Sequence, residues 1–206
     1  MAVTNDGSRF HDVMNARETN AARMPPSAIR RVVTTHTADG TAVVLSDDVA
    51  TNVRVRANGG IVSTLLWTTD STPATYSNAD RGALTIGTAP PAGGTVLRVV
   101  TFPPEDPAAA PVDQHAVAAE MGLAHDGGGR RAPRHPFMHA TDSVDYAIVL
   151  DGEIDMLLDE GAVHLRAGDI LVQQGTNHAW VNRSGRPCSI AFVLIDAAGS
   201  ALVPDA

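Results

Sequence analysis

Residues with the chemistry of metal ligands and acid–base catalysts are concentrated in one stretch, residues 135–182. His139 and Asp145 lie in its first part, and His178 lies near its end. The residues around them are apolar and often β-branched, which is typical of buried strands. Burying an unpaired carboxylate or imidazole there would cost several kcal/mol, on the order of an unsatisfied buried polar group. A divalent metal bound by all three side chains would offset this cost, and hydrogen bonding among the three is the alternative.

The same stretch has the pattern of short antiparallel strands. Apolar segments are separated by turn signals at Asp151-Gly152, Asp159 to Gly161, Gly168 and Gly175. We interpret Asp151-Gly152 and Asp159 to Gly161 as hairpin turns, and this spacing indicates an antiparallel sandwich or barrel. Because strand residues two apart share a face, we expect two sets to point inward. These sets are Asp145, Ala147 and Val149, and His178, Trp180 and Asn182.

The motifs in this stretch resemble those of the cupin superfamily, which consists of small β-barrels. Asp145, followed by six residues and then Gly152, is similar to the end of the first cupin motif, with Asp in place of Glu. His139 matches the second His of that motif, and Phe137 stands where its first His belongs. The second motif is matched by Gly168, Gly175, His178 and Asn182, with Gln173 in place of its Pro.

The resemblance implies an all-β fold, a cupin-type antiparallel jelly-roll barrel with extra N-terminal strands and one or two short helices. It also supports a divalent metal ion held by His139, Asp145 and His178. Two imidazoles and one carboxylate suit Fe, Mn, Ni or Zn and leave coordination positions open. His135 is a further candidate ligand at the end of the preceding loop.

Four side chains are candidates for binding a substrate. We expect Trp180 and Gln173 to line the pocket. Arg98 shares a strand face with Val96 and Val100, so it would hold an anion if that face is inward and be a solvated cation if it is outward. Arg134 belongs to a basic loop with Arg130 and Arg131, which would attract an anionic substrate or simply face solvent.

The chain divides into four predicted segments. Residues 1–27 form an N-terminal arm, and residues 28–102 form an N-terminal β extension that contributes strands to the barrel. The prolines, glycines and threonines of residues 71–95 indicate an irregular lid or loop within that extension. Residues 103–134 comprise a linker, a short helix with Asp113 as N-cap and Gly122 as stop, and the basic loop. Residues 135–198 form the cupin barrel core.

Composition excludes several classes of partner. The 206 residues carry a net charge of −8, which argues against nucleic acid. No apolar run approaches the length of about 20 residues that a membrane helix needs. The single cysteine and the absence of an apolar secretory region favour a cytoplasmic protein. Extra N-terminal strands on a sheet edge favour a homodimer.

Three functions are compatible with this reading. The first is a metal-dependent, lyase-type enzyme that decarboxylates or dehydrates a small oxygenated organic acid or a phenolic, polyketide-like compound bound to the metal. The second is an Fe(II)-dependent dioxygenase, and the third is a non-catalytic cupin that binds a small ligand. The incomplete set of histidines favours the lyase.

Overall fold

The alternating apolar segments of the sequence form eleven strands in the computed structural model, which describes residues 28–108, 112–123 and 133–198. The strands are β1 Arg30–His36, β2 Ala42–Val49, β3 Val53–Val55, β4 Val62–Thr69, β5 Thr95–Phe102, β6 Ser143–Asp151, β7 Glu153–Leu158, β8 Ala162–Arg166, β9 Ile170–Gln174, β10 His178–Val181 and β11 Cys188–Asp196. The predicted arm at residues 1–27 lies outside the described residues, as do Arg130 and Arg131.

The strands form two facing sheets and a separate hairpin. The larger sheet has the order β3-β4-β5-β11-β6-β9, the smaller has the order β10-β7-β8, and β1 pairs with β2 across a turn at Asp39-Gly40. All paired strands are antiparallel. The prediction of an all-β jelly-roll with added N-terminal strands is therefore confirmed, and β4 and β5 extend the larger sheet next to β11.

The predicted inward faces meet in one hydrophobic core. Ala147 and Val149 of β6 pack in this core with Trp180 of β10 and with Val96 and Val100 of β5. The intervening Tyr146 and Leu150 are exposed, as the two-residue period requires. Asp145 and His178 thus lie on the core side of opposite sheets.

A single short helix and one 3₁₀ helix interrupt the strands in the described residues. The helix α1 spans Gln114–Met121, its Asp113 side chain accepts a hydrogen bond from the His115 N–H, and Gly122 ends it in the left-handed conformation. The predicted helix and both of its signals are confirmed. The 3₁₀ helix Arg81–Ala83 lies within the predicted lid segment. None of the helices in the described ranges is long and apolar enough to cross a membrane.

The Asp151-Gly152 turn does not close a hairpin. β6 pairs with β11 and β9, whereas β7 pairs with β10 and β8, so the turn carries the chain from one sheet to the other. The hairpin predicted here was wrong, because a turn pair does not specify which sheet the next strand joins. The predicted turn at Gly161 does connect the paired strands β7 and β8.

Glycine is required at the crossing between the sheets. Gly152 has φ of +81°, and a Cβ there would lie 2.7 Å from the Pro187 carbonyl oxygen and 2.8 Å from the Cys188 Cα. Gly161 also has φ of +81°, but a Cβ there would have no atom within 4 Å. The two positions therefore share a backbone conformation and differ in steric surroundings.

We expect Gly152→Ala to lower the free energy of unfolding by about 3 kcal/mol, because strain and backbone overlap act together. Gly161→Ala is the matched control and should cost about 1 kcal/mol from φ alone. Urea denaturation of both variants measures the difference. Equal losses would show that the contacts of Gly152 do not constrain the crossing.

Candidate functional site

A cavity lies between the two sheets. Its apolar wall includes Phe102 of β5, Trp180 of β10 and Phe192 of β11, together with Phe137. Its polar lining includes Arg56, Ser63, Thr88, Arg98, His139, Thr141, Asp145 and His178. A mostly apolar lining with a few polar groups is typical of small-molecule sites.

His139 and His178 are directly opposite each other in an isolated antiparallel bridge. Each backbone N–H donates to the carbonyl oxygen of the other residue at 2.9 Å. Side chains of such a pair stand on the same face and close together. Their imidazole rings are therefore adjacent, with centroids 4.4 Å apart and planes inclined by 47°.

A main-chain carbonyl fixes the tautomer of the His139 ring. Nδ1 of His139 lies 2.9 Å from the Phe137 carbonyl oxygen, which can only accept, so this Nδ1 carries the proton. Nε2 of the neutral His139 ring is then the nitrogen that can take a proton or bind a metal. Nδ1 of His178 lies between the Thr176 carbonyl oxygen at 2.9 Å and the Gln173 side-chain Nε2 at 2.7 Å, and these two contacts hold that ring in place.

Burial keeps both rings neutral. It lowers the pKa of His139, and Arg56 lowers it further. Burial, followed by the charge of His139, lowers the pKa of His178 to about 3. Two unprotonated imidazoles at neutral pH are suited to accept protons or to bind a metal.

Comparison with known proteins agrees with this architecture. Residues 122–195 match a family described as "Cupin domain". This part of the chain is a cupin domain. Cupin domains commonly bind metals.

Three fungal proteins are similar to this chain. Phomopsin biosynthesis cluster protein C' of Diaporthe leptostromiformis is 60% identical over 48 residues, which are 23% of this chain and 25% of that protein. The cupin-domain-containing oxidoreductase fogC of Aspergillus ruber is 28% identical over 177 residues, 82% of this chain and 73% of that protein. Oryzines biosynthesis cluster protein J of Aspergillus oryzae is 29% identical over 177 residues, 82% of this chain and 83% of that protein. The match therefore spans only a quarter of the phomopsin protein's length.

Asp145 lies in the same cavity but is engaged elsewhere. Its carboxylate accepts a hydrogen bond of 2.6 Å from the Ser143 hydroxyl, and Ser143 in turn lies 2.8 Å from the Thr141 hydroxyl. Burial raises the pKa of Asp145, and the Ser143 hydrogen bond and the charge of Arg98 oppose that rise. The protonated form of Asp145 is thus favoured beyond that of an ordinary carboxyl group.

The described residues of this cupin do not assemble the predicted three-ligand metal site. Within residues 28–108, 112–123 and 133–198, no three His, Cys, Asp or Glu side chains are arranged to hold a metal ion. His139 and His178 are together, but Asp145 extends from the larger sheet, is one methylene shorter than Glu and is bound by Ser143. Phe137 lines the cavity at the position of the first motif histidine, so a phenyl ring stands where an imidazole is usual.

Two of the predicted substrate-binding residues line the cavity. Trp180 packs edge-on against the His178 ring at 5.9 Å and against Phe192 at 5.3 Å. Arg98 is 8% exposed and points inward with Val96 and Val100, which decides between the two orientations left open by the sequence. Substrate binding by either residue stays a prediction.

Gln173 does not line this cavity, which corrects its predicted position. Its side-chain amide lies behind His178, 2.7 Å from Nδ1. It therefore supports the orientation of that ring. Asn182 has a structural role, because its side chain donates to the carbonyl oxygens of Phe102 and Arg186, each at 2.9 Å.

Arg134 and His135 also lie outside the cavity, so neither occupies the predicted place. Arg134 donates to the carbonyl oxygens of Leu158 and Gly161 at 2.7 and 2.6 Å, which stabilises the turn between β7 and β8. His135 Nε2 lies 2.8 Å from the Glu105 carboxylate, and its ring stacks on Phe137. These contacts direct His135 away from His139 and make it a poor fourth ligand.

The sequence did not identify Arg56, Thr88 and Met121 as cavity residues. Residues 53–56 alternate in sequence, with Val53 and Val55 on one face and Arg54 and Arg56 on the other, and this pattern does not say which face is inside. In the structure both valines are exposed and Arg56 reaches the cavity. The signal was the alternation itself, and only the sheet pairing shows which face is inside.

The lowered pKa of His178 determines the sign of a pH effect on stability. The unfolded side chain has a pKa of about 6.5, and the folded one has a pKa of about 3. Between these values the unfolded state binds a proton that the folded state does not. The stabilising contribution is therefore complete above pH 6.5 and is lost as the pH falls towards 3. Asp145, whose pKa is raised, has the opposite sign because its contribution is lost as the pH rises.

We expect His178→Gln to flatten the decline of stability in acid. Below pH 6.5 the difference in unfolding free energy between wild type and variant should change by up to about 1.4 kcal/mol per pH unit. His139, Asp145, Arg56 and Arg98 are present in both proteins, so their contributions to the pH dependence of stability largely cancel in this difference. Chelator-dialysed proteins denatured in urea at several pH values give the measurement, with the exposed His164→Gln as control. Parallel profiles for wild type and His178→Gln would contradict the buried neutral imidazole.

Proposed function

We propose that this cupin is an enzyme that transforms a small oxygenated organic compound by proton transfer at His139 and His178. The observation that carries the proposal is the pair of neutral imidazoles, held side by side in a mostly apolar cavity. Burying an imidazole is costly unless the ring is hydrogen bonded. The contacts at Nδ1 meet this need and leave Nε2 of each ring for chemistry. A purely structural pair would not need to line a cavity.

The names of the relatives support an enzyme of small-molecule biosynthesis. Two of the three are named as proteins of biosynthesis clusters, and the third is named an oxidoreductase. We extend to this chain the general role, a cupin enzyme acting on a small molecule. The aromatic residues Phe102, Trp180 and Phe192 suit a phenolic or polyketide-like body.

The geometry supports a lyase-type reaction best, and dehydration uses the described side chains most fully. A neutral imidazole accepts a proton from the carbon next to a carbonyl or carboxyl group. Asp145, whose pKa is raised by burial, donates a proton to the departing hydroxyl, which leaves as water. Decarboxylation would need only the delivery of a proton to carbon after CO₂ has left.

A metal-dependent form of this reaction needs at least three side chains that bind the metal, and the described residues do not bring three together. The imidazoles of His139 and His178 would provide two of them. We therefore assign the proton transfers to the side chains themselves. A chelator tests this assignment directly, because proton transfer by His139 and Asp145 does not require an added ion.

Oxidation is the second candidate, and the oxidoreductase name of the Aspergillus ruber relative favours it. It would correspond to the dioxygenase predicted from the sequence. Consumption of O₂ during turnover distinguishes oxidation from dehydration. A ligand that binds without turnover would indicate the third predicted function, a non-catalytic cupin.

We expect turnover to depend on both histidines. A screen of oxo acids, hydroxy acids and phenolic compounds under N₂ should reveal a substrate that loses water or CO₂. His139→Gln and His178→Gln should each reduce kcat at least about 100-fold, which is typical of losing a general base, with folding retained. His164→Gln, on the exposed face of β8, should keep wild-type activity.

Two arms of the same experiment separate the alternatives. Turnover that persists under N₂ and after dialysis against a chelator supports proton transfer by the side chains. Turnover that needs O₂ would establish oxidation instead, and turnover restored by one added metal would establish a metal centre. Full activity in both histidine variants would contradict the proposed site.

The remaining predictions about partners are unchanged. A homodimer, a cytoplasmic location and the absence of nucleic-acid and membrane partners stay predictions.

A further inference from the structure

Two arginines, Arg56 and Arg98, stand at one end of the cavity. A second chamber adjoins the cavity there. Both are lined by Arg56, Arg98, Ser63, Thr88 and Met121. Arg54 lines this chamber but not the cavity. Positive charge is thus concentrated at a passage into the interior of a chain whose net charge is −8.

Arg98 is buried without full use of its donors. Its Nη2 donates to the carbonyl oxygens of Gly87 at 2.9 Å and Thr88 at 3.1 Å. Its Nε is buried and has no hydrogen-bond partner. Carbonyl oxygens satisfy N–H groups but do not neutralise the charge of a guanidinium, so a buried arginine with these partners is incompletely compensated.

Arg56 adds a second positive charge to the same wall. Its guanidinium contacts the Thr88 hydroxyl at 3.4 Å. Burial and then the charge of Arg56 lower the pKa of Arg98 to about 10. The two cations therefore destabilise each other, and an anion between them would remove both this repulsion and part of the desolvation penalty.

Two carboxylates act electrostatically on the arginines, but both are hydrogen bonded to other groups. The charge of Asp145 raises the pKa of Arg98, against the effects of burial and Arg56. However, an Asp145 oxygen accepts a hydrogen bond from the Ser143 hydroxyl, and burial raises the pKa of Asp145 itself. Glu120 acts on Arg56 but accepts hydrogen bonds from the Ala57 N–H at 2.7 Å and the Asn58 amide at 3.1 Å. Neither provides a bidentate partner for a guanidinium.

We infer that Arg56 and Arg98 bind the carboxylate of the substrate, which is an aromatic or similarly apolar monocarboxylic acid. This inference rests on the proposed function for the placement of the substrate in this cavity. Guanidinium groups pair with carboxylates through two parallel hydrogen bonds. With the carboxylate at this end, the apolar body lies against Phe102, Trp180 and Phe192, next to the histidines.

Binding of matched acids and amides tests the carboxylate site without requiring turnover. Isothermal titration with benzoate, 3-phenylpropanoate and 2-naphthoate, each beside its neutral amide, measures the preference for a carboxylate. We expect at least one acid to bind wild type about tenfold or more tightly than its amide. The preference should weaken with added salt.

Arginine variants identify the groups responsible. Arg56→Gln and Arg98→Gln should each reduce affinity for the acid at least about fivefold and leave affinity for the amide unchanged. Arg54→Gln, from the same wall but outside the cavity, should change the affinity for the acid less than twofold. If Arg98→Gln unfolds, as thermal denaturation would show, the less buried Arg56→Gln decides.

The inference is overturned if no acid binds better than its amide, or if Arg56→Gln retains wild-type preference. Either result would leave the proton-transfer proposal intact, because that proposal is tested by the turnover of the histidine variants. Conversely, a carboxylate preference in a protein whose histidine variants remain fully active would support the arginine site and refute the proposed function.

Discussion

The main-chain bridge between His139 and His178 is the constraint on which the site depends. Two reciprocal backbone hydrogen bonds join the segment before β6 to the start of β10, and they put both imidazoles on the inner face. Net stabilisation by such a bond is about 1 kcal/mol, yet leaving its buried groups unpaired would cost more. The bridge therefore fixes the position of the rings, and the contacts at Nδ1 with Phe137, Thr176 and Gln173 fix their orientation.

The electrostatics of the cavity follow from burial at that bridge. Burial lowers the pKa of both imidazoles and raises that of Asp145, so the acid and base are shifted in opposite directions. Arginines cannot lose their charge in the same way, and Arg98 remains a cation inside the barrel. An acidic chain thus encloses a cavity whose fixed charge is positive, an arrangement that concentrates anions by focusing the field.

Alternation predicted the inner faces of β6 and β10 from sequence because a buried strand repeats every two residues. Asp145, His178 and Trp180 all lie where this rule places them. Alternation could not determine which strands pair, so Asp151-Gly152 was interpreted as a hairpin, although it connects β6 of one sheet with β7 of the other. The family motif favoured three ligands, whereas the contact with Ser143 that occupies the carboxylate depends on side-chain geometry.

The sequence predicted only one of the two arginines at the cationic end of the cavity, for a related reason. Arg98 had two possible orientations, and the alternation of Arg54 and Arg56 with valines did not say which face is inside. Long-range pairing of β3 with β4, and of β4 with β5, brings these arginines together. Arg134 and His135 illustrate the converse, since closeness in sequence to His139 did not place them in its cavity.

Nitrogen-15 NMR of the histidine side chains tests the central claim most directly. At pH 7 the rings of His139 and His178 should both be neutral, with the His139 proton on Nδ1, and the His178 signals should remain unchanged on acidification to pH 5.5. Assignment follows from the loss of one set of signals in each glutamine variant. A proton on Nε2 of His139, or imidazolium signals of either ring at pH 7, would contradict the account of two buried neutral bases held in place at Nδ1.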